Sequence, residues 1–371
     1  MKSQKGLIAL TLVASAATSF SQTAVTKSVF GNTPDGKPVD VYTLKDKTLE
    51  IKIATWGAHI ISVKAPDKSG NIADVVLGYN SMDAAGASYL ADKNTYMGSV
   101  VGRYGNRIAK GKFSLDGHNY TLPTNDHGNT LHGGTVGFDR HNWTAKQIPG
   151  GVELTLVSPD GDQGFPGTLT AHVRYTLTGD KLRIAYSATT DKPTVINLTN
   201  HSYFNLAGSG DILKHVLWVN AGRYTPTDKL SIPLGELPTV AGTPFDFRTP
   251  TPIGARINDN NEQLKIAGGY DHNFILTGPS DLTHAAAKVT DPASGRTLTV
   301  YTTEPGVQFY TGNFLDGSLK GRDSAPYTKH SGLCLETQHY PDSPNHPAFP
   351  STTLNPGETY HTTTIFQFGT K

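Results

Sequence analysis

The sequence predicts an all-β protein, a large antiparallel β-sandwich with few short helices. More than fifteen short segments read as strands, and many of them alternate between apolar and polar residues, which is the pattern of half-buried strands. The 371-residue chain also contains 39 glycines and 23 prolines, together with 16 tyrosines and 14 phenylalanines. Glycine and proline favour turns, whereas aromatic residues favour strands and fill sandwich cores. Because so many strands must bury one face each, we expect two large packed sheets.

Period-2 alternation defines the predicted strands, and turn residues separate them. In chain order the strands cover residues 39–44, 49–53, 60–63, 75–77, 112–122 (a hairpin), 152–157, 169–177, 182–188, 194–198, 215–220, 271–276, 285–289, 297–302, 333–336 and 360–368. Residues 81–91 are one of few helical candidates, with Ser81 as the N-cap. No low-complexity linker or internal repeat interrupts the series, so we expect residues 22–371 to form a single domain.

The first residues have the form of a secretory signal peptide. Lys2 and Lys5 give a positive start, and residues 7–17 form an apolar run that is too short to span a bilayer. Small residues follow this run. We therefore expect residues 1–21 to be removed on export, by cleavage after Ser21 or a few residues earlier. The expected location is the periplasm of a Gram-negative cell or the medium outside it.

Charge and cysteine content exclude several classes of partner. The net charge is +1, with 32 basic and 31 acidic side chains and no long basic run. Nucleic acids and anionic membrane surfaces are therefore poor candidates. Cys334 is the only cysteine, so the chain has no intrachain disulfide and no cysteine for a lipid anchor at the cleavage point. We favour a monomer, although the sequence leaves the oligomeric state open.

Glu336 and His201 are the first candidates for proton transfer. Glu336 follows an apolar run near the end of a predicted strand, and four prolines between 341 and 350 stiffen the loop after it. It is either a general base at the mouth of a buried strand or a surface residue in an ion pair. His201 lies among asparagines and hydroxyl residues that can fix its tautomer and keep its pKa near neutrality. A purely structural histidine is the alternative.

Two further segments are rich in polar residues. Arg107 follows three glycines and has planar donors that suit sugar hydroxyls, unless it binds backbone carbonyls instead. No strand–glycine loop–helix context surrounds it, so a nucleotide site is not indicated. The irregular stretch at 125–142 contains His127, His132 and His141. Their spacing matches no helix-borne metal motif and no cysteine supports one, so we expect no metal.

Six segments together resemble the galactose mutarotase (aldose 1-epimerase) family. They are GRYGNRI at 102–108, LHGG at 131–134, NLTNHSYFNLAG at 197–208, GYDHNF at 269–274, GVQFYTGN at 306–313 and LETQHYPD at 335–342. Each segment alone is weak evidence. All six occur in the family's order and span nearly the whole chain after the signal peptide, which makes the resemblance highly specific.

The resemblance implies a galactose mutarotase-like sandwich with an open sugar-binding cleft. It also implies an enzyme that interconverts the α and β anomers of free aldoses such as D-glucose and D-galactose. The reaction would proceed by general acid/base ring opening and reclosure. The implied roles are Glu336 as general base, His201 as general acid, His132 as an assisting group near the ring oxygen, Asn106, Arg107 and Asp271 as ligands of sugar hydroxyls, and Gln308 in the lining of the site.

The chemistry agrees with these residue types and needs no cofactor. Opening an aldose ring requires a base at the C1 hydroxyl and an acid at the ring oxygen, and reclosure reverses both transfers. Two alternatives remain at this stage. A glycoside hydrolase could use Glu336 and Asp271 as its two carboxylates. A non-catalytic carbohydrate-binding protein would need only aromatic platforms and groups that bind hydroxyls.

Overall fold

The computed structural model describes residues 23–82, 89–90 and 95–371. The predicted signal peptide at 1–21 lies outside the described residues, and so does most of the predicted helix at 81–91. Within the described residues, every ladder of paired strands is antiparallel. The all-β prediction is therefore confirmed.

The largest sheet in the described part of the chain has nine strands. Their spatial order is Thr144–Ile148, Gly151–Ser158, Leu169–Thr178, Lys181–Thr190, Tyr360–Thr370, Arg296–Thr302, Ala285–Thr290, Val216–Val219 and Thr251–Pro252. Strands from the middle of the sequence thus pair with the last strand of the chain. Because these partners are distant in sequence, the nine-stranded sheet joins both halves of the protein.

Two smaller sheets and four short pairs complete the strands that the structure describes. The five-stranded sheet contains Ala24–Asn32, Pro38–Lys45, Glu50–Ala54, Ile60–Pro66 and Ile72–Asp74 in that order. The four-stranded sheet has the order Ala221–Tyr224, Asp271–Leu276, Gly306–Tyr310 and Cys334–Gln338. The pairs are Val100–Val101 with Thr199–Asn200, Arg107–Ile108 with Thr130–Leu131, Lys112–Leu115 with His118–Thr121, and Thr194–Val195 with Thr353–Leu354.

Helices are few and short among the described residues. The α-helix Glu262–Ala267 begins after Asn261, whose side chain accepts hydrogen bonds from two backbone N–H groups, and ends at the left-handed Gly268. The 3₁₀ turns are Ala109–Gly111, Phe138–Arg140, Asp162–Gly164, Ile253–Ala255, Arg322–Ser324 and Ser343–Asn345. None of the helices in the described ranges has the length and apolar character needed to span a lipid bilayer.

Most predicted strands match observed ones to within one or two residues, but two predictions were wrong. The apolar run at 75–77 is not a strand. The strand is Ile72–Asp74, and the buried run after it forms only an isolated bridge, between Val76 and Phe204. The predicted strand at 194–198 is split into Thr194–Val195 and Thr199–Asn200, which pair with different partners. Both errors arise because apolar runs indicate burial without indicating which backbone partner is available.

The four-stranded sheet separates the core from a polar face. Phe309 and Leu335 face each other across two strands and are buried in the main core. On the same face, Thr337 lies 2.5 Å, oxygen to oxygen, from Thr364 of the nine-stranded sheet. Because side chains alternate along a strand, the neighbours Gln308 and Glu336 project from the opposite face. The functional residues therefore stand on a rigid sheet whose other face is packed.

Truncation of this core contact should destabilise the whole protein. Phe309 is fully buried, and its ring centroid lies 5.3 Å from that of Tyr270 and 5.7 Å from that of Phe247. We expect Phe309→Ala to lower the free energy of unfolding by about 3–5 kcal/mol, measured by urea denaturation. Phe314→Ala is the control because that ring is 66% exposed, and its effect should stay within about 0.5 kcal/mol. Equal losses in the two variants would contradict this packing.

Candidate active site

A pocket of about 260 Å³ opens over the polar face of the four-stranded sheet. Its volume lies just below the roughly 300–1,000 Å³ that is typical of pockets for drug-sized ligands, so it suits a smaller molecule. It is lined by Thr95, Tyr96, Asn106, Arg107, Leu131, His132, His201, Tyr203, Asp271, Tyr310, Phe314, Leu315 and Glu336. Six of the seven site residues predicted from the sequence therefore line this pocket. The seventh, Gln308, does not line it.

Glu336 and His201 form a buried pair of ionisable side chains in the pocket. Oε1 of Glu336 lies 3.6 Å from Nε2 of His201, and the two residues are only 2% and 5% exposed. Glu336 lies in the middle of Cys334–Gln338, so the expectation that it stands near the strand end is corrected. The interpretation of Glu336 as a surface residue in an ion pair is excluded by its burial.

Backbone hydrogen bonds and a thiol hold His201 in place. Its N–H donates to the carbonyl of Ser99 and its carbonyl accepts from the N–H of Gly98. Sγ of Cys334 lies 3.5 Å from Nδ1 of His201. Burial raises the pKa of the Cys334 thiol well above its ordinary value, so the sulfur stays protonated. Nε2, the other ring nitrogen, is the atom nearest Glu336.

His132 presents a neutral imidazole with a defined tautomer. The backbone N–H of Asn106 donates to Nδ1 of His132 over 3.1 Å, so the ring proton must be on Nε2. Burial lowers the pKa of His132 well below its ordinary value, and the nearby His201 and Arg107 lower it further. The rings of His132 and His201 are 5.2 Å apart and nearly perpendicular. His132 is therefore an N–H donor at neutral pH.

The same tautomer argues against a metal site. One ligand atom each from His132, His201 and Glu336 lies within 4.8 Å of the others, a spacing from which three ligands could converge on an ion. A metal-binding histidine normally donates its second ring N–H to an acceptor. Here Nδ1 of His132 accepts instead, so Nε2 carries a proton and has no lone pair for a metal.

Arg107 is oriented by an ion pair at the pocket rim. Its Nε donates to Oδ2 of Asp126 over 2.8 Å, and its backbone N–H donates to Oδ1 of Asn106. The guanidinium therefore presents its terminal amino groups from a fixed position in the pocket wall. Asn106 has a left-handed φ of 60°, a conformation that asparagine tolerates better than most residues. This bend places Asn106 and Arg107 on the same side of the pocket.

Asp271 is the first residue of the strand Asp271–Leu276, and Gln308 orients its carboxylate. Nε2 of Gln308 donates to Oδ1 of Asp271 over 2.7 Å. The expectation that Gln308 lines the site is corrected, because its side chain is buried and its amide is directed to Asp271. Burial raises the pKa of Asp271, while Arg107 and the bond from Gln308 lower it.

The pKa of Glu336 responds to the same charges. Burial raises it well above its ordinary value, and the negative charge of Asp271 raises it further. The positive charge of Arg107 opposes both effects. The pocket thus combines a carboxylate of increased basicity with two imidazoles and several donors and acceptors that suit hydroxyl groups.

The amino-acid sequence of the whole chain is similar to those of known proteins. A family model described as Aldose 1-epimerase matches residues 40–367. The chain belongs to the aldose 1-epimerase family. It is 47% identical over 348 residues to a galactose mutarotase of Homo sapiens, and the alignment covers 93% of this chain and 98% of that protein. It is 41% identical over 341 residues to an aldose 1-epimerase of Escherichia coli, with 90% and 96% of the two chains covered.

Solved structures of the family agree with the fold. A galactose 1-epimerase from Lactobacillus acidophilus superposes with a TM-score of 0.81 at 29% identity, over 94% of this chain and 99% of that one. An aldose epimerase homologue from Caenorhabditis elegans gives the same TM-score at 27% identity, with 94% and 99% covered. The predicted galactose mutarotase-like sandwich and the resemblance to this family are both confirmed.

Some residues noted in the sequence take no part in the pocket of this aldose 1-epimerase family member. The ring of His127 is largely exposed beside Asp126, and His141 is not in the pocket wall. Arg103 is fully buried and donates to carbonyl groups of residues 158, 159, 166 and 167. The structural role considered for Arg107 therefore belongs to Arg103.

Sequence reasoning did not name the aromatic residues of the wall. Tyr310 follows Gln308 by two residues within Gly306–Tyr310, so alternation could have placed its side chain on the same face. Tyr203 lies just after Thr199–Asn200, outside that strand. The ring of Tyr96 lies 4.5 Å from that of His132, and no periodic pattern surrounds it. Phe314 is exposed at the mouth and packs on Tyr310. Together they give the pocket apolar walls around its polar floor.

Proposed function

We propose that the protein is an isomerase, an aldose 1-epimerase (mutarotase) that interconverts the α and β anomers of free aldoses such as D-galactose and D-glucose. Membership of the family and the names of its relatives support this activity. The observation that carries the proposal is the buried pair of Glu336 and His201 in a small pocket lined with hydroxyl-binding groups. Its partner is a free monosaccharide.

The pair supplies the base and the acid that the reaction needs. Glu336 removes the proton of the C1 hydroxyl while the protonated imidazole of His201 donates its Nε2 proton to the ring oxygen. The C1–O5 bond breaks to give the open aldehyde, which leaves Glu336 protonated and His201 neutral. Rotation of about half a turn about the C1–C2 bond presents the other carbonyl face. The C5 hydroxyl then attacks C1, its proton returns to His201, and Glu336 returns its proton to O1.

The remaining residues bind and orient the sugar. His132 donates from Nε2 near the ring oxygen, where it stabilises developing negative charge. Asn106, Arg107 and Asp271 hold hydroxyl groups, and Gln308 orients Asp271 through its amide. Every step is a proton transfer, a rotation, or the breaking or forming of the C1–O5 bond within the sugar. The proposed mechanism therefore uses no cofactor and no covalent intermediate with the protein.

Removal of the proposed base should abolish most of the acceleration. In polarimetry with freshly dissolved α-D-galactose or α-D-glucose, we expect Glu336→Gln to lower kcat by roughly 10²–10⁴-fold. The amide has nearly the same shape, so circular dichroism should remain unchanged. Glu236→Gln is the matched control because Glu236 is exposed and is not one of the residues that line the pocket. It should keep full activity.

One outcome would overturn the proposed activity, and another would overturn the proposed role of Glu336. A folded wild-type protein that leaves the spontaneous rate of mutarotation unchanged would exclude the epimerase. If it released reducing ends from an oligosaccharide, the glycoside hydrolase would take its place. Sugar binding without either reaction would indicate a carbohydrate-binding protein. Full activity of Glu336→Gln would leave the epimerase in place and remove Glu336 from its mechanism.

The pH profile should show the effect of burial on the base. The reaction needs the ionised form of Glu336, and burial raises the pKa of that carboxyl above its ordinary 4.5. A raised pKa means that the active form is lost at a higher pH as the solution is acidified. We therefore expect kcat/KM to fall with a midpoint above pH 4.5. The pH profile of kcat/KM is measured by polarimetry. A midpoint of its acidic limb at or below that value would be inconsistent with a buried base.

We also propose that residues 22–371 form one domain, that residues 1–21 direct export to the periplasm or the medium, and that the mature protein is a monomer. The positive start and short apolar run support the export proposal. Expression of the full chain in a Gram-negative host should give periplasmic protein whose N-terminus begins near Gln22, shown by mass spectrometry. A cytoplasmic product with an intact N-terminus would contradict it.

A further inference from the structure

A row of buried amides lies behind Glu336 on the polar face of the four-stranded sheet. Gln308 stands opposite both Asn273 and Glu336 in the strand register, and Gln338 follows Glu336 by two residues. The four side chains therefore project from the same face. Asn273, Gln308 and Gln338 are 1%, 4% and 0% exposed. Gln338 does not line the pocket.

Many polar atoms in this row lack partners among the described residues. They are both amide atoms of Asn273 and of Gln338, Oε1 of Gln308, Oε2 of Glu336 and Oγ1 of the neighbouring Thr199. Leaving one buried polar atom unsatisfied costs about 1–3 kcal/mol. Buried polar groups in native proteins are therefore paired with protein atoms or with internal water. A concentration of such atoms around a carboxylate is the setting in which internal water is found in native proteins.

Two glycines allow the side chains around Gln338 to pack close to the backbone. Gly306 is its direct partner in the strand register, and a methyl group there would lie 2.5 Å from Oδ1 of Asn273. On the other side, a methyl group at Gly105 would lie 3.2 Å from Cγ2 of Thr199 and 3.7 Å from Oε1 of Gln338. Neither glycine has a left-handed φ. The backbone therefore does not require glycine at these positions, whereas the space around the amides does.

We propose that Gln338 is a positioning residue for Glu336. With Asn273 and Thr199, its amide holds buried water against Oε2 of the Glu336 carboxylate, so that Oε2 is hydrogen-bonded while Oε1 faces His201 and the substrate. The inference rests on the proposed role of Glu336 as the general base. A carboxylate fixed through one oxygen has a defined orientation for proton transfer by the other.

Several other polar and ionisable groups face Glu336, and some of them also shift its pKa. They are His201, His132, Arg107, Asp271, Cys334 and Tyr310. Burial and Asp271 raise the pKa of Glu336, and Arg107 lowers it. Water that donates to Oε2 favours the ionised form and acts in the same direction as Arg107. Loss of this water should therefore raise the pKa of Glu336 further.

Replacement of the amide by an apolar side chain of similar length tests the proposal. We expect Gln338→Met to move the acidic limb of kcat/KM to higher pH by about one unit and to lower kcat at pH 7 by about 3–10-fold. KM should stay within about twofold, because the residue does not line the pocket. Gln338→Asn retains an amide and should restore most of the wild-type profile.

The matched control lies one residue away on the same strand. Thr337→Val changes a buried side chain on the opposite, core-facing side, so it should alter stability without moving the acidic limb. A purely structural role of Gln338 would give the same result as this control. Equal profiles for wild type and a folded Gln338→Met would overturn the proposal.

A second readout does not depend on catalysis. The infrared carboxyl band of Glu336, isolated as wild type minus Glu336→Gln without sugar, should titrate at a higher pH in the Gln338→Met background. If that variant does not fold, Gly306→Ala places a methyl group against Asn273 and keeps all three amides, and it should shift the band in the same direction. An unshifted band in the folded variant would overturn the inference, whether or not the wild type is an epimerase.

Discussion

The burial of the Glu336 carboxylate beside the His201 imidazole is the constraint that the surrounding structure must satisfy. A carboxylate in an apolar interior would simply take up a proton, because desolvation favours the neutral form. Here Arg107 supplies a positive charge that opposes burial and the repulsion from Asp271. Asp126 fixes Arg107 in turn. The rim ion pair therefore contributes to the basicity of Glu336 as well as to the binding of hydroxyl groups.

The sheet makes this arrangement rigid. One face of the four-stranded sheet is packed through Phe309 and Leu335, so the strands that carry Gln308 and Glu336 cannot shift without disturbing the core. His201 comes from a separate short strand region, held by backbone bonds to residues 98 and 99. The relative position of acid and base thus depends on contacts between parts of the chain that are far apart in sequence.

Much of this could be predicted from the sequence, and the exceptions have physical reasons. Alternation identified most strands, and the six segments identified the residues that meet in the pocket. Gln308 was assigned to the pocket wall by the family resemblance, and a matching motif does not show how deeply its side chain is buried. Glu336 was placed near the end of its strand because the loop after it is rich in proline. Tyr96 and Phe314 lie on irregular backbone, where no periodicity exists to be read.

The central claim is that Glu336 and His201 act on the anomeric centre of a free sugar. The most direct measurement is a crystal structure of the protein with D-galactose bound. We expect the C1 hydroxyl to lie within hydrogen-bonding distance, about 2.6–3.2 Å, of a Glu336 oxygen. The ring oxygen should lie at a similar distance from Nε2 of His201. A sugar bound in the pocket with its anomeric carbon turned away from both residues, toward Arg107 and Asp271, would contradict it.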